Sequence, residues 1–330
     1  MMQMNEIHRI LLSRPDRLGD MVITSVCLSP LRKAFPNAQI GMIGHSEMAS
    51  LFERHPIVDT FIALKNDTDI ELAVKAFNAD LSIHCDPNPI IAKACSQAEV
   101  PHRIGYEEDA PFLTRSYPNP KREGTKHEAE FVFELLEPLG VSYPETGLQV
   151  NVMSAPLPSL LALPDEFMVF HLGSHGNKAR LPESLFMEVM PWLWEKYQVY
   201  SLLIGSDDEK NLNRNFCEKL NSPEWVHNLC GVLNPAELLT LLGKARGFVG
   251  RDSGPSHLAA AAGVQTFCYM PATRPDISLV RWKPLGPKVV VMGPHGTAHW
   301  WESTEKANRR VFNGIKSVDL KEQLAAILDR

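Results

Sequence analysis

Two rhythms of apolar and polar residues alternate along this chain. Short runs rich in Val, Ile, Leu and Phe, namely HRILLS, AQIGMIG, DTFIAL, DLSIHCD and HRIGY, are too compact for helices and read as buried strands. The stretches between them, near 20–35, 69–78, 89–97 and 126–139, carry apolar residues at helical spacing. Pro30 falls inside the first of these helices, where its missing N–H predicts a bend or an interruption. A second series starts at FMVFHLGS and continues through VYSLLIG, VHNL, GFVG, VQTFCYM and KVVVMG, with helices over 183–197, 207–220, 235–245 and 255–262. Strand alternating with helix in this way predicts parallel sheets with helical crossovers, an α/β protein.

Between 140 and 167 the periodicity fades and Pro144, Pro156, Pro158 and Pro164 accumulate, the composition of a linker. The expected organisation is therefore two doubly wound, Rossmann-like domains over 1–155 and 156–330. The closing segment SVDLKEQLAAILDR predicts a last helix over about 317–329, an element able to pack back on the first domain. Two such sheets facing a cleft would offer it the carboxyl ends of their strands, where ligands of open α/β sheets bind.

Composition narrows the class. No stretch of the 330 residues approaches the ~20 consecutive apolar residues a bilayer span requires, and the opening MMQMNEIHRILLS lacks the apolar core of a secretory signal. A cytoplasmic enzyme is expected. The six cysteines form no CxxC pair or zinc-spaced cluster, which suits reduced buried thiols and gives no metal site. A net charge of −6 argues against a nucleic-acid partner.

The sharpest chemical segment is GFVGRDSGPSHLAAAAG, residues 247–263, where an apolar strand turns directly into a helix of small residues. Asp252 or Ser253 can cap that helix, Gly254 admits a ligand to the backbone, Pro255 is tolerated in the first turn, and Gly263 ends it. The uncapped N–H groups and the positive dipole end suit a diphosphate, and His257 lies one turn on from Ser253 on the same face. An ordinary capped helix with a satisfied histidine has the same pattern. The opening segment ILLSRPDRLGD repeats strand, turn and helix start. Asp20 there is either a plain cap or a general base ionised at neutral pH. In HLGSHGNKARLPESLF, Lys178 and Arg180 can neutralise a departing diphosphate, and in LLIGSDDEKNL, Glu209 can bind ribose hydroxyls or simply complement a helix dipole. Lys121, Arg122, Lys126 and His127 cluster in PKREGTKHEAEF, suiting an anionic acceptor, or a solvated loop. Neither GxxxxGK[ST] nor GxGxxG occurs, which weakens kinase and dinucleotide readings.

Arg17-Leu18-Gly19-Asp20 after the first strand and Asp252-Ser253-Gly254-Pro255-Ser256-His257-Leu258-Ala259-Ala260-Ala261 in the second half together resemble glycosyltransferase family 9, the bacterial lipopolysaccharide heptosyltransferases. The resemblance implies a GT-B fold and inverting transfer of a sugar, heptose from ADP-heptose, to a lipopolysaccharide core or related glycan. It implies no obligatory cofactor or metal. Carried over by position, Asp20 corresponds to the catalytic base, and Asp252, Ser253, Gly254 and His257 to the diphosphate side of the donor site. Glu209 corresponds to a ribose-binding acid. Where the family often has Lys-Arg-Trp-Pro, this chain has Ala179-Arg180-Leu181-Pro182, which moves the cation to Lys178 or leaves it to Arg180. Arg17, Lys121, Arg122 and Lys126 are the acceptor-side candidates. A lipid-linked acceptor would bring weak, peripheral contact with the inner membrane. A GT-B epimerase or phosphorylase, and a non-catalytic nucleotide-sugar-binding protein, are the alternatives.

Overall fold

The first apolar run becomes β1, Arg9–Ser13, and it lies in the middle of a six-stranded parallel sheet. The computed structural model describes residues 6–65, 69–144, 147–173, 180–270, 278–293, 306, 310 and 312–329, with the side chains of Pro120 and Arg122 outside that description. The chain divides into two compact units, Met1–Ser154 and Ala155–Arg330.

In the first unit β1 is followed by β2 (Gln39–His45), β3 (Thr60–Leu64), β4 (Leu81–His84), β5 (His102–Tyr106) and β6 (Arg115–Tyr117), in the spatial order β3-β2-β1-β4-β5-β6. The helices are α1 (Leu18–Thr24), α2 (Leu28–Ala34), α3 (Ala49–Phe52), α4 (Ile70–Phe77), α5 (Pro89–Gln97) and α6 (Glu128–Leu136). The interruption expected near Pro30 is present: α1 and α2 are separated by a 3-10 turn, Ser25–Cys27. Proline 30 has no N–H to give the carbonyl of Val26, one turn back, so the α ladder cannot run through. On one face Leu11, Ile43, Val74, Phe77 and Ile91 share a buried cluster, each such aliphatic side chain contributing about 1.5–3 kcal/mol of burial. β6 has no sequence signal. It is three residues long, two of them exposed, and pairs only at the sheet edge.

The second unit repeats the plan. β7 (Phe167–His171), β8 (Tyr200–Ile204), β9 (Val226–Asn228), β10 (Gly247–Arg251), β11 (Thr266–Tyr269) and β12 (Val289–Met292) form a parallel sheet in the order β12-β11-β10-β7-β8-β9. Around it stand α7 (Glu183–Tyr197), α8 (Lys210–Lys219), α9 (Pro235–Lys244), α10 (Gly254–Ala261) and α11 (Leu279–Trp282). Both sheets thus have one strand order, with the first strand beside the fourth. The final helix, Ser317–Leu328, buries Leu320 and Leu324 in the core of its own unit, packed with α7 residues Leu185, Val189 and Leu193, so its apolar face is taken up there. Gly263 stands just past α10 with φ +70°, the left-handed conformation that ends a helix at little cost only for glycine. No helix among the described residues is long and apolar enough to cross a membrane.

Candidate active site

At the carboxyl end of β1 the backbone delivers Arg14 into the protein, 1% exposed. Its Nη2 donates to Asp20 Oδ1 at 2.9 Å, and its Nη1 donates to Glu128 Oε1 at 2.9 Å and to the Cys85 carbonyl at 2.9 Å. Asp16 Oδ2 lies 2.8 Å from Nε without an aligned hydrogen bond, and Asp86 Oδ1 stands 3.9 Å from Nη1. Lys121, equally buried, reaches the same groups: its ammonium is 2.7 Å from the Cys85 carbonyl, 2.8 Å from Asp86 and 2.9 Å from Glu128, and lies over the Tyr106 ring. Two cations and four carboxylates therefore interlock at the ends of β1 and β4. Desolvation opposes the Arg14 charge, but the fields of Glu128, Asp20, Asp16 and Asp86 outweigh it and hold its pKa above the usual arginine value. Burial pushes the Asp16 carboxyl up to about 6; Asp86 and Asp20 add to the rise, and Arg14 and Lys121 oppose it.

Asp20 sits in the first turn of α1, its carboxylate 19% exposed and directed to Arg14. Arg17 precedes that helix with its side chain exposed. The grouping of basic residues around 121–127 does not form one surface. Lys121 is drawn into the interior network, whereas Lys126 is exposed and ion-paired with Glu134. The side chain of Arg122 lies outside the described ones. His127 accepts from the Ala129 N–H and so helps to start α6, which carries Glu128.

In the second unit three neighbouring strands end in linked side chains. Ser253 occupies the cap position of α10, and its hydroxyl also lies 3.2 Å from His171 Nδ1 and 3.1 Å from the Arg251 carbonyl. The expected cap at Ser253 is present, and Ser256 completes a reciprocal capping box: its Oγ accepts from the Ser253 N–H and donates to the Ser253 carbonyl. His171 Nε2 is 3.3 Å from Glu209 Oε2, which also accepts from the Ser206 N–H at 2.9 Å. Burial would raise the Glu209 carboxyl, but the hydrogen bonds and charge of His171 and the Ser206 contacts win and hold it below the ordinary range. Its Oε1 lies so close over Gly173 that a Cβ there would overlap it, and Oε2 crowds Gly205. His257 is buried, Nε2 3.5 Å from Asp252 Oδ1, and its Nδ1 has no hydrogen-bond partner among the described residues. Arg180 is exposed, and Lys178 lies outside the described residues. Sequence reasoning passed over His171, Asp16, Asp86 and Glu128. The one available signal was a histidine closing an otherwise apolar strand, FMVFH.

Two doubly wound sheets of identical strand order, with polar side chains gathered at the carboxyl ends of their first strands, define the GT-B fold. The chain matches the model of glycosyltransferase family 9 (heptosyltransferase) over residues 89–308 and belongs to that family. It is 22% identical over 289 residues to lipopolysaccharide heptosyltransferase 3 of Escherichia coli (strain K12), covering 81% of this chain and 82% of that one. Among solved structures it resembles a glycosyl transferase family 9 protein from Veillonella parvula DSM 2008, with TM-score 0.79, 19% identity and 97% of each chain covered. It also resembles E. coli ADP-heptose LPS heptosyltransferase II, with TM-score 0.79, 19% identity and 97% and 98% coverage.

Proposed function

We propose that this glycosyltransferase transfers heptose from ADP-heptose, with inversion, to a hydroxyl of a lipopolysaccharide core acceptor. The donor assignment is supported by the ADP-heptose named for one structural relative and by the lipopolysaccharide heptosyltransferase among the relatives in sequence. The observation that carries the chemistry is Asp20, a partly exposed carboxylate at the end of the first strand, fixed by a fully buried guanidinium. Arg14 binds Oδ1, which leaves Oδ2 as the oxygen that receives the acceptor proton. As the acceptor oxygen forms its bond to the anomeric carbon, the bond from that carbon to the diphosphate breaks. The electron pair leaves on the phosphate oxygen. The first-turn backbone of α10 at Ser253 and Gly254, with Asp252 and His257 behind it, is the diphosphate side of the donor site. Lys178 or Arg180 offsets the departing charge, and Glu209 Oε1 takes the ribose hydroxyls. No metal is assigned to the chemical step. Arg17, Arg122 and Lys126 are assigned to the acceptor side by their charge, and Lys121 serves the site from within, through Asp86 and Glu128. A lipid-linked acceptor would bring the enzyme to the inner membrane surface by weak peripheral contact.

The test is transfer by the purified chain from ADP-heptose to a heptose-deficient core oligosaccharide, followed by mass and anomeric configuration of the product. Product of inverted configuration, made by the wild type and not by Asp20→Asn, is the expected result. Conversion of ADP-heptose without any acceptor would point instead to an epimerase or phosphorylase. Donor binding with no turnover on any acceptor would point to a binding protein.

A further inference from the structure

We propose that His171 is a positioning residue that ties the nucleoside side of the donor site to its diphosphate side. The inference rests on the donor-site reading above. His171 is the last residue of β7, and β7 lies between β8 and β10 in the sheet. β7 and β10 are the first and fourth strands of their unit, so the boundary between them is where the chain's direction of winding reverses and open α/β sheets bind ligands. From that place the imidazole spans the ends of all three strands. Nε2 meets Glu209, which follows β8, at 3.3 Å, and Nδ1 meets Ser253, which follows β10, at 3.2 Å. The carboxylate only accepts, so Nε2 carries a proton, and the Nδ1–Ser253 Oγ contact closes the bridge on the other edge of the ring. The ring is 4% exposed and fixed on both edges.

Each bond has a consequence for a nucleoside diphosphate. On the Glu209 side, the His171 and Ser206 contacts all fall on Oε2, so the carboxylate is turned with Oε1 over the Gly173 backbone. On the Ser253 side, the contact fixes the hydroxyl at the cap position of α10, beside the first-turn backbone that would bind phosphate. A side chain without ring nitrogens at 171 would release the Ser253 hydroxyl from its fixed position and let the Glu209 carboxylate rotate. Both halves of the ligand would lose their partners through one substitution.

The experiment measures ADP affinity of the full chain by calorimetric titration for His171→Phe, Ser253→Ala, Glu209→Gln and the two doubles that combine His171→Phe with each of the others, with thermal melts of each. His171→Phe keeps a buried ring and removes both bonds, and ADP affinity is expected to fall about tenfold, the scale of one or two lost hydrogen bonds. His171→Gln, which can still donate to Glu209, should recover part of the loss. It also stands in if the phenylalanine variant does not fold. In each double the loss should be smaller than the product of the two single losses, because the second substitution removes a partner already released. In turnover the loss should fall on the donor KM more than on kcat, which a general loss of stability would not produce. Weakened binding in Glu209→Gln and Ser253→Ala with wild-type binding in both His171 variants would overturn this inference alone. Losses that multiply in full in both doubles would overturn it as well. Wild-type binding in Glu209→Gln and Ser253→Ala would instead overturn the donor-site reading on which it stands.

Discussion

Replacing Glu128 by Gln keeps the shape of the side chain and removes the one carboxylate of the first unit's charge network that is 0% exposed. Its Oε1 lies 2.9 Å from Arg14 Nη1 and 2.9 Å from Lys121 Nζ, both cations being nearly inaccessible to water. The acids left to those cations are partly hydrated, with Asp16, Asp20 and Asp86 side chains 31%, 19% and 30% exposed. At an effective dielectric near 20, each contact at that distance corresponds to roughly 5–6 kcal/mol of Coulomb attraction. Most of this is cancelled by the cost of burying the carboxylate itself, and breaking a buried pair nets about 3–5 kcal/mol. At roughly 2–4 °C per kcal/mol for a chain segment of this size, the melting temperature should fall by about 6–20 °C in scanning calorimetry at neutral pH. Turnover of the protein that remains folded should fall too, because Arg14 is no longer fixed against Asp20. A fall of less than about 2 °C would refute the reasoning, since it would mean that Arg14 and Lys121 are satisfied without Glu128.

Three other outcomes follow from the same geometry. Asp20→Asn should lower turnover by roughly 10²–10⁴-fold while ADP titrates with nearly unchanged affinity, and turnover within a few-fold of wild type would remove the base from Asp20. Asp16 has its carboxyl raised from 3.8 to about 6 in the folded protein, so the folded state holds that proton more tightly than the unfolded one. Stability at this site is therefore full below about pH 4 and is lost as pH rises through 6, by at most about 3 kcal/mol. Asp16→Asn should accordingly gain on wild type between pH 4 and 6 in denaturant melts, and a difference flat across that window would contradict the assignment. Gly173→Ala should drive its Cβ into Glu209 Oε1 and weaken ADP binding about tenfold, at a cost of about 1–3 kcal/mol in stability. An alanine variant with wild-type affinity would place the ribose contact elsewhere.

The strands that sequence patterning reveals most plainly are those buried on both faces. β7 is buried at every position and β1 at all but its first, and uninterrupted apolar runs announce both. β6 carries no such run, because an edge strand with exposed side chains is held by backbone pairing, which leaves no trace in composition. Site residues divide on similar lines. Asp20 and the Asp252–His257 segment sit where a strand turns into a helix, and that local punctuation is visible in a few consecutive residues. Glu128 meets Arg14 across 114 positions and Ser253 meets His171 across 82. Those meetings are products of strand order, and no local pattern encodes them. Lys121 shows the converse: adjacent to Arg122 and near Lys126 in sequence, it is separated from Lys126 in chemistry by a buried carboxylate that only the fold supplies.

The two units solve one problem in the same place. In each, the last position of the first strand, or the residue after it, carries a nitrogen-rich side chain, Arg14 after β1 and His171 at the end of β7. In each, that side chain is 4% exposed or less and bridges groups arriving from other elements. The choice of residue fits what is bridged. Arg14 must offset four carboxylates and stay charged while doing so, which guanidinium does and imidazole would not. His171 meets one carboxylate and one hydroxyl from opposite edges of a single small ring, a short span that imidazole fits and the longer guanidinium side chain does not. Exchanging the two types should therefore fail in both directions. His171→Arg would force a longer side chain with a permanent charge into a position that is 4% exposed, and Arg14→His would leave Glu128 and Asp86 to Lys121 alone.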